Sequence, residues 1–136
     1  MSLVLDSSVT LAWAYSDETT QPVTRIFERL SQGGAWVPGL WRLEVAKVLE
    51  MSVRRKRHDK TFRDATLADL AQLPIQVDPQ TDQQAWSATL RLAERHQLTL
   101  FDASYVELAL RRNLPLATLD EDLRRAAEKE KVRVLG

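Results

Sequence analysis

Along the chain, short apolar runs alternate with stretches in which apolar residues recur every three or four positions, the pattern of buried strands separated by amphipathic helices. Leu3-Val4-Leu5 is the first run, and Asp6-Ser7-Ser8 behind it suits a helix N-terminus, with a short helix expected over Val9 to Tyr15. Pro22 fits a first helical turn, and Val23, Ile26, Phe27 and Leu30 follow at helical spacing until Gly33-Gly34 stops the pattern. Ala35-Trp36-Val37 predicts a second strand, ended by Pro38-Gly39. From Trp41 a third stripe, Val45, Val48 and Leu49, runs into a basic segment broken at His58-Asp59. Phe62, Ala65, Leu70 and Leu73 mark a helix before Pro74, and Ile75-Gln76-Val77 is the third strand.

The second half repeats the alternation. Asp82 to His96 reads as one helix with Ala85, Ala88 and Leu92 on one side, and Ala103 to Arg112 is apolar enough to lie at the centre of the packing. Pro115 to Thr118 predicts a strand, Glu121 to Lys129 a helix, and Val132 to Leu135 a last strand. Alternating helices and strands without repeat or linker predict one α/β domain over residues 1–136, a three-layer α/β/α sandwich around a central parallel β-sheet with right-handed crossovers.

Composition narrows the function more than the fold. A hydrophobic fraction of 44% and a charged fraction of 28% are ordinary for a globular chain. The absence of Cys removes disulfides, thiolate metal sites and a Cys nucleophile, which fits a cytoplasmic protein. The opening Met-Ser-Leu-Val-Leu-Asp has neither the basic start nor the apolar length of a signal peptide or membrane anchor. Lys plus Arg equals Asp plus Glu at 19 each, so net charge predicts no general attraction to nucleic acid. Basic residues are nevertheless clustered at Arg54 to His58, Arg111-Arg112, Arg124-Arg125 and Lys129 to Arg133, where helix C-termini favour cations and phosphate contact is the alternative.

The chemistry is carried by acids. Asp6, Glu44, Asp102 and Asp120 each stand where an apolar run gives way to a helix. Singly, each has a plain explanation: Asp6 and Asp120 as N-caps, Glu44 in a first turn, and Thr99-Leu100-Phe101-Asp102 as a capping box. Capping alone gives no reason for all four corners to be ionised. In a parallel sheet these corners fall at one edge, and carboxylates gathered there repel unless a cation joins them. A hard divalent ion takes oxygen ligands of this kind.

The wording around these acids is specific. Val4-Leu5-Asp6-Ser7-Ser8-Val9, Pro38 to Val45 with Glu44, Phe101-Asp102-Ala103-Ser104-Tyr105, and Leu114 to Asp120 closely resemble the PIN-domain family, in particular the VapC-type toxins of bacterial toxin–antitoxin pairs. The resemblance runs in order over nearly the whole chain. It implies an α/β/α sandwich, Mg²⁺- or Mn²⁺-dependent endoribonuclease activity leaving 5′-phosphate and 3′-hydroxyl ends, a homodimer, and inhibition by a VapB-type antitoxin. It places the acidic, metal-binding set on Asp6, Glu44, Asp102 and Asp120, with Thr118 as a supporting hydroxyl. One departure is Lys47, where many relatives carry Asn three positions after the helical acid.

On this reading Asp6 and Asp102 hold the principal ion, and Glu44 and Asp120 complete the site or hold a second one about 3.5–4 Å away. Asp122 and Asp17 are read as surface anions, Asp17 a distant candidate for the rim. Competing chemistries lack parts. His58 and His96 have no Cys or HExxH partner, no GxSxG surrounds Ser7, Ser8 or Ser104, and Gly33-Gly34 lacks a P-loop Lys. Trp36, Trp41 and Trp86 are read as core or interface residues ahead of base-stacking ones. Two rivals remain: a catalytically silent binding module of the same fold, and a small phosphatase using Asp6 as nucleophile, for which Ser8 replaces the expected second acid. The stripe Val45, Val48 and Leu49 is a surface that a partner helix would cover.

Overall fold

The computed structural model describes all residues from Met1 to Gly136. Its strands are β1 (Leu3–Leu5), β2 (Ala35–Val37), β3 (Ile75–Val77), β4 (Leu116–Ala117) and β5 (Val134–Leu135), and its helices are α1 (Ser7–Ala14), α2 (Gln21–Gly33), α3 (Trp41–Arg54), α4 (Lys60–Ala71), α5 (Thr81–Gln84), α6 (Ala88–His96), α7 (Leu100–Arg112) and α8 (Glu121–Lys129). All strands are parallel, in the order β3-β2-β1-β4-β5. The chain thus starts in the middle of the sheet, builds outward to β3, and returns across β1 to add β4 and β5. With right-handed crossovers, the reversal sends α1–α4 to one face and α5–α8 to the other, and the helices pack within those two groups. The expected α/β/α sandwich is what forms. No helix is long and apolar enough to cross a membrane.

Reversal of winding direction between β1 and β4 creates a topological switch point, where crevices open at the carboxyl ends of parallel strands. Leu5 pairs with Ala117 at the last rung, so Asp6 and Thr118 leave the sheet side by side. Beneath them the core is continuous: Leu3, Val4 and Leu5 are fully buried, and α7 buries every residue from Ala103 to Ala109, as its apolar composition requires. Helix ends follow local chemistry. Pro22 occupies the first turn of α2, and Gly34 caps its C-terminus at φ 75°, a left-handed conformation that favours glycine.

Two expected elements differ. Asp82 to His96 is not one helix: α5 ends at Gln84, and Ser87 adopts φ −124°, ψ −98° before α6 begins. The ends of this segment have separate anchors. Thr81 Oγ1 accepts the Gly39 amide at 3.0 Å and donates to Asp78 at 2.9 Å, while α6 packs along α7. The break leaves Trp86 93% exposed, so it is neither core nor covered. The last strand is shorter than Val132 to Leu135, because Lys131 turns left-handed at φ 62° and the Val132 amide closes α8 on the Ala127 carbonyl.

Sequence patterning missed the strongest ion cluster. Asp78, its side chain wholly buried at the end of β3, accepts from Arg111 at 2.7 Å and Arg112 at 3.0 Å, while Arg111 also pairs with buried Glu107 and Arg112 lies over the Trp36 ring at 3.5 Å. Arg111 and Arg112 are therefore spent inside the molecule and do not form a phosphate-binding run. Although burial opposes it, the two guanidinium groups hold the Asp78 carboxyl well below its ordinary 3.8. A depressed carboxyl contributes stability above the unfolded value that is lost as pH falls toward the folded one. Asp78→Asn should cost about 3–5 kcal/mol in urea denaturation at pH 7, as breaking a buried pair does. The difference from wild type should shrink as pH falls below about 4.

Candidate active site

Asp6 is 2% exposed at the switch point. Its Oδ1 accepts the Val9 amide at 3.0 Å, capping α1, and the Ser8 hydroxyl at 2.7 Å, while Oδ2 accepts the Thr118 hydroxyl at 2.5 Å. Thr118 Oγ1 in turn accepts the Asp120 amide, and Ser8 Oγ accepts the Leu119 amide, both at 3.0 Å. Two hydroxyls thus stitch the β1–α1 corner to the β4–α8 corner. Burial pushes the Asp6 carboxyl up from 3.8 to about 6, against the lowering effect of its three donors and with a further push from Asp120.

The other acids stand around this pair. Asp120 N-caps α8 through Oδ1, which accepts the Leu123 amide at 3.0 Å. Asp102 lies in the first turn of α7, its amide capped by Thr99 Oγ1 at 3.1 Å. Partial burial raises the Asp102 carboxyl, and the charges of Asp120, Glu44 and, more weakly, Asp122 raise it further. Glu44, in the first turn of α3, accepts the hydroxyl of buried Tyr105 at 2.5 Å. The phenol is pushed upward by burial, by that hydrogen bond and by the charges of Glu44 and Asp6. A second thread ties α3 to the same corner: Trp41 Nε1 donates to Thr10 Oγ1 at 3.1 Å, and Thr10 donates to the Asp6 carbonyl at 2.8 Å.

Asp6, Glu44, Asp102, Asp120 and Thr118 therefore share one electrostatic neighbourhood, in which Asp6 and Asp120 also cap helices. The donor set is all oxygen and its carboxylates repel one another, which suits a hard divalent cation. As they stand, no three acidic or histidine side chains lie close enough together to chelate an ion alone. Mg²⁺, which dehydrates reluctantly and is usually held by one or two carboxylates and several waters, fits such an open arrangement better than a closed protein cage would.

Other candidates fall outside this neighbourhood or, like Asp122, at its margin. Asp122 is exposed and paired with Arg125 at 2.9 Å; Asp17 is exposed, 3.9 Å from Arg57. His96 pairs with Glu130 at 2.6 Å, and His58 packs against both Tyr15 and Phe62, so neither joins the acids. Lys47 is exposed and forms no ion pair. Trp41 is core and Trp36 is half-buried under Arg112. The stripe expected to meet a partner is not free, because Val45 and Leu49 are each 1% exposed within the molecule's own core. What remains open there is a groove of about 300 Å³ between α3, α4 and edge strand β3, lined by residues including Ala46, Leu67, Leu73 and Val77.

Two supporting residues escaped the sequence reading. Ser8 was visible as a hydroxyl two positions beyond Asp6, a spacing at which it can turn back to the carboxylate. Tyr105 follows Asp102 by three positions, one helical face, yet nothing local revealed that its hydroxyl would meet Glu44 across 61 residues.

The sequence model of the PIN domain family matches residues 3–129, and the chain belongs to that family. A comparison with curated proteins finds no significant match. Among solved structures, PAE2754 from Pyrobaculum aerophilum aligns with TM-score 0.71 at 23% identity, over 98% of this chain and 83% of that one. VapBC2 from Rickettsia felis, bound to a DNA fragment from their promoter, aligns with TM-score 0.66 at 11% identity, covering 98% and 97%. VapC20 of Mycobacterium tuberculosis, a sarcin-ricin-loop-cleaving toxin, aligns with TM-score 0.58 at 18% identity, covering 91% and 94%. At these identities the likeness is one of fold.

A buried carboxylate held at about 6 carries a stability cost absent below its ordinary 3.8, growing between the two values and complete above them, equivalent to about 3 kcal/mol. Asp6→Asn keeps the shape and the acceptor for Val9 and Ser8. In chelator at pH 7.5 this variant should melt several degrees above wild type, with the gain fading toward pH 4. A variant that melts lower at both pH values would show that the Asp6 charge is compensated within the fold.

Proposed function

We propose that this chain is a divalent-metal-dependent endoribonuclease and the toxin of a toxin–antitoxin pair. The observation that carries the reading is that the charges of Glu44 and Asp120 act on Asp102, and that of Asp120 on Asp6, beside the switch point, with Asp6 buried and raised to about 6. Family membership and the likeness to a toxin that cleaves the sarcin-ricin loop support it.

Asp6 and Asp102 are assigned the principal Mg²⁺ or Mn²⁺, with Glu44 and Asp120 at its margin. The bound ion supplies Lewis-acid charge and makes hydroxide available near neutral pH. Thr118 and Ser8 fix the Asp6 carboxylate, so its orientation needs no adjustment as substrate arrives. Tyr105 orients Glu44 in the same way, its phenol staying neutral and donating to the carboxylate. Water as nucleophile leaves a 5′-phosphate and a 3′-hydroxyl. Asp6, already engaged by three donors, is poorly placed as a phosphatase nucleophile.

We assign the chain a homodimer, and its protein inhibitor the apolar groove beside β3, whose lining is nearly all hydrophobic. Likeness to the VapBC2 complex supports a partner of this class. Purified protein should cut structured RNA in Mg²⁺ or Mn²⁺ and stop in chelator, and Asp6→Asn and Asp102→Asn should fall to background while circular dichroism is unchanged. Thr118→Val, which removes a hydrogen bond to Asp6, should reduce cutting about 10–100-fold. Full cutting by both Asn variants would end the assignment. The product of an adjacent small open reading frame should co-purify with the chain and suppress cutting.

A further inference from the structure

The far ends of α1 and α3 form a second, oppositely charged site. From Arg54 to Lys60 the chain carries five Lys or Arg against one acid in a protein whose overall charge is zero; Arg54 pairs with Glu50 at 3.1 Å and Arg57 stands 3.9 Å from exposed Asp17, which leaves Arg55, Lys56 and Lys60 without ion pairs. Asp59 is occupied in capping α4, accepting the Phe62 amide at 2.8 Å. A concavity of about 650 Å³ opens here, lined by Lys56, Arg57, His58, Lys60 and Phe62 among others. Its wall is built: His58 stacks on Phe62 at 4.2 Å and on Tyr15 at 4.9 Å, Arg57 lies 5.2 Å from the Tyr15 ring, and His58 Nδ1 meets Ser52 at 2.5 Å, leaving Nε2 without a protein partner. Lys56 and Lys60 are exposed and form no ion pair.

The position of this pocket relative to the acids is set by α3. Glu44, Lys47, Met51 and Arg55 follow one another at three- and four-residue intervals, one stripe of the helix surface, on which Lys47, Met51 and Arg55 are exposed. At ~1.5 Å per residue the stripe is roughly 16 Å long, a few nucleotides of RNA. An acidic catalytic edge repels a polyanion, so binding energy must come from a cationic surface at a distance.

We infer that the Lys56-Arg57-Lys60 pocket and the Lys47 stripe leading to it bind the phosphate backbone of single-stranded RNA a few nucleotides from the bond to be cut. This rests on the nuclease reading for its substrate, but its test does not depend on cleavage. A fluorescent oligoribonucleotide is titrated in chelator, where nothing is cut, over a range of salt concentrations. Lys56→Asn with Lys60→Gln removes two cations, Asn being tolerated at the φ 59° of Lys56. The control, Lys129→Gln with Lys131→Asn, removes two cations at the C-terminal end of α8, with Lys131 at φ 62°.

The pocket variant should bind about tenfold more weakly, and its plot of log affinity against log salt should flatten by about 1.4, about 0.7 for each phosphate that is no longer neutralised. The control should match wild type. An unchanged affinity and slope, an equal weakening in the control, or no binding by wild type would each overturn the inference. If wild type cuts RNA with metal while the pocket variant binds as wild type, the inference falls and the nuclease reading stands. If the pocket variant fails to bind in a protein that never cuts, the inference stands and the nuclease reading falls.

Discussion

Placing the Asp6 carboxylate out of water is the constraint around which the rest of this molecule is arranged. It stands one residue past the central strand of a parallel sheet, beside the strand with which the winding direction reverses. Burial of that charge is opposed only by two hydroxyls and an amide, and the neighbouring acid Asp120 makes matters worse. Natural folds rarely tolerate such a debt in a core position without a use for it. Ser8 and Thr118 serve that position twice over, as donors to Asp6 and as acceptors for the Leu119 and Asp120 amides of the β4–α8 corner.

The contrast with Asp78 separates chemistry from scaffolding. Both aspartates stand at the carboxyl end of a parallel strand and are 2% exposed. Asp78 is met by two guanidinium groups and held strongly acidic, and those cations lock α7 to the loop after β3. Asp6 is met by no cation and is held weakly acidic. A carboxylate already neutralised by protein has nothing to offer a metal ion. One whose neutralisation is left to an exogenous charge does.

Much of this was legible in the sequence, for identifiable reasons. Strand and helix periods differ, so the alternating layers and the parallel sheet could be read from Leu3-Val4-Leu5, the Val23 to Leu30 stripe and their successors. The acid corners were legible because loop-to-helix junctions carry local capping grammar: Asp6 and Asp120 are N-caps, and Thr99 caps Asp102. Illegible were the contacts made between elements distant in the chain. Arg111 and Arg112 looked like a basic surface run because Asp78, 33 and 34 residues away, lacks any local signal. The stripe Val45 and Leu49 looked available because periodicity reports that a helix face is apolar and not which neighbour covers it. The break at Ser87 was hidden for the same reason, being imposed by the separate anchors of α5 and α6.

The division of labour within the capping carboxylates has an evolutionary corollary. In Asp6 and Asp120 alike, Oδ1 receives a helix amide, so capping is confined to one oxygen, and the other oxygen of Asp6 takes the Thr118 hydroxyl. Folding and reactivity are thereby written into the same atoms. Amide replacements preserve the fold alone, and shorter side chains forfeit both, so lineages that abandon the chemistry yet keep the scaffold are expected to pass through asparagine at these corners.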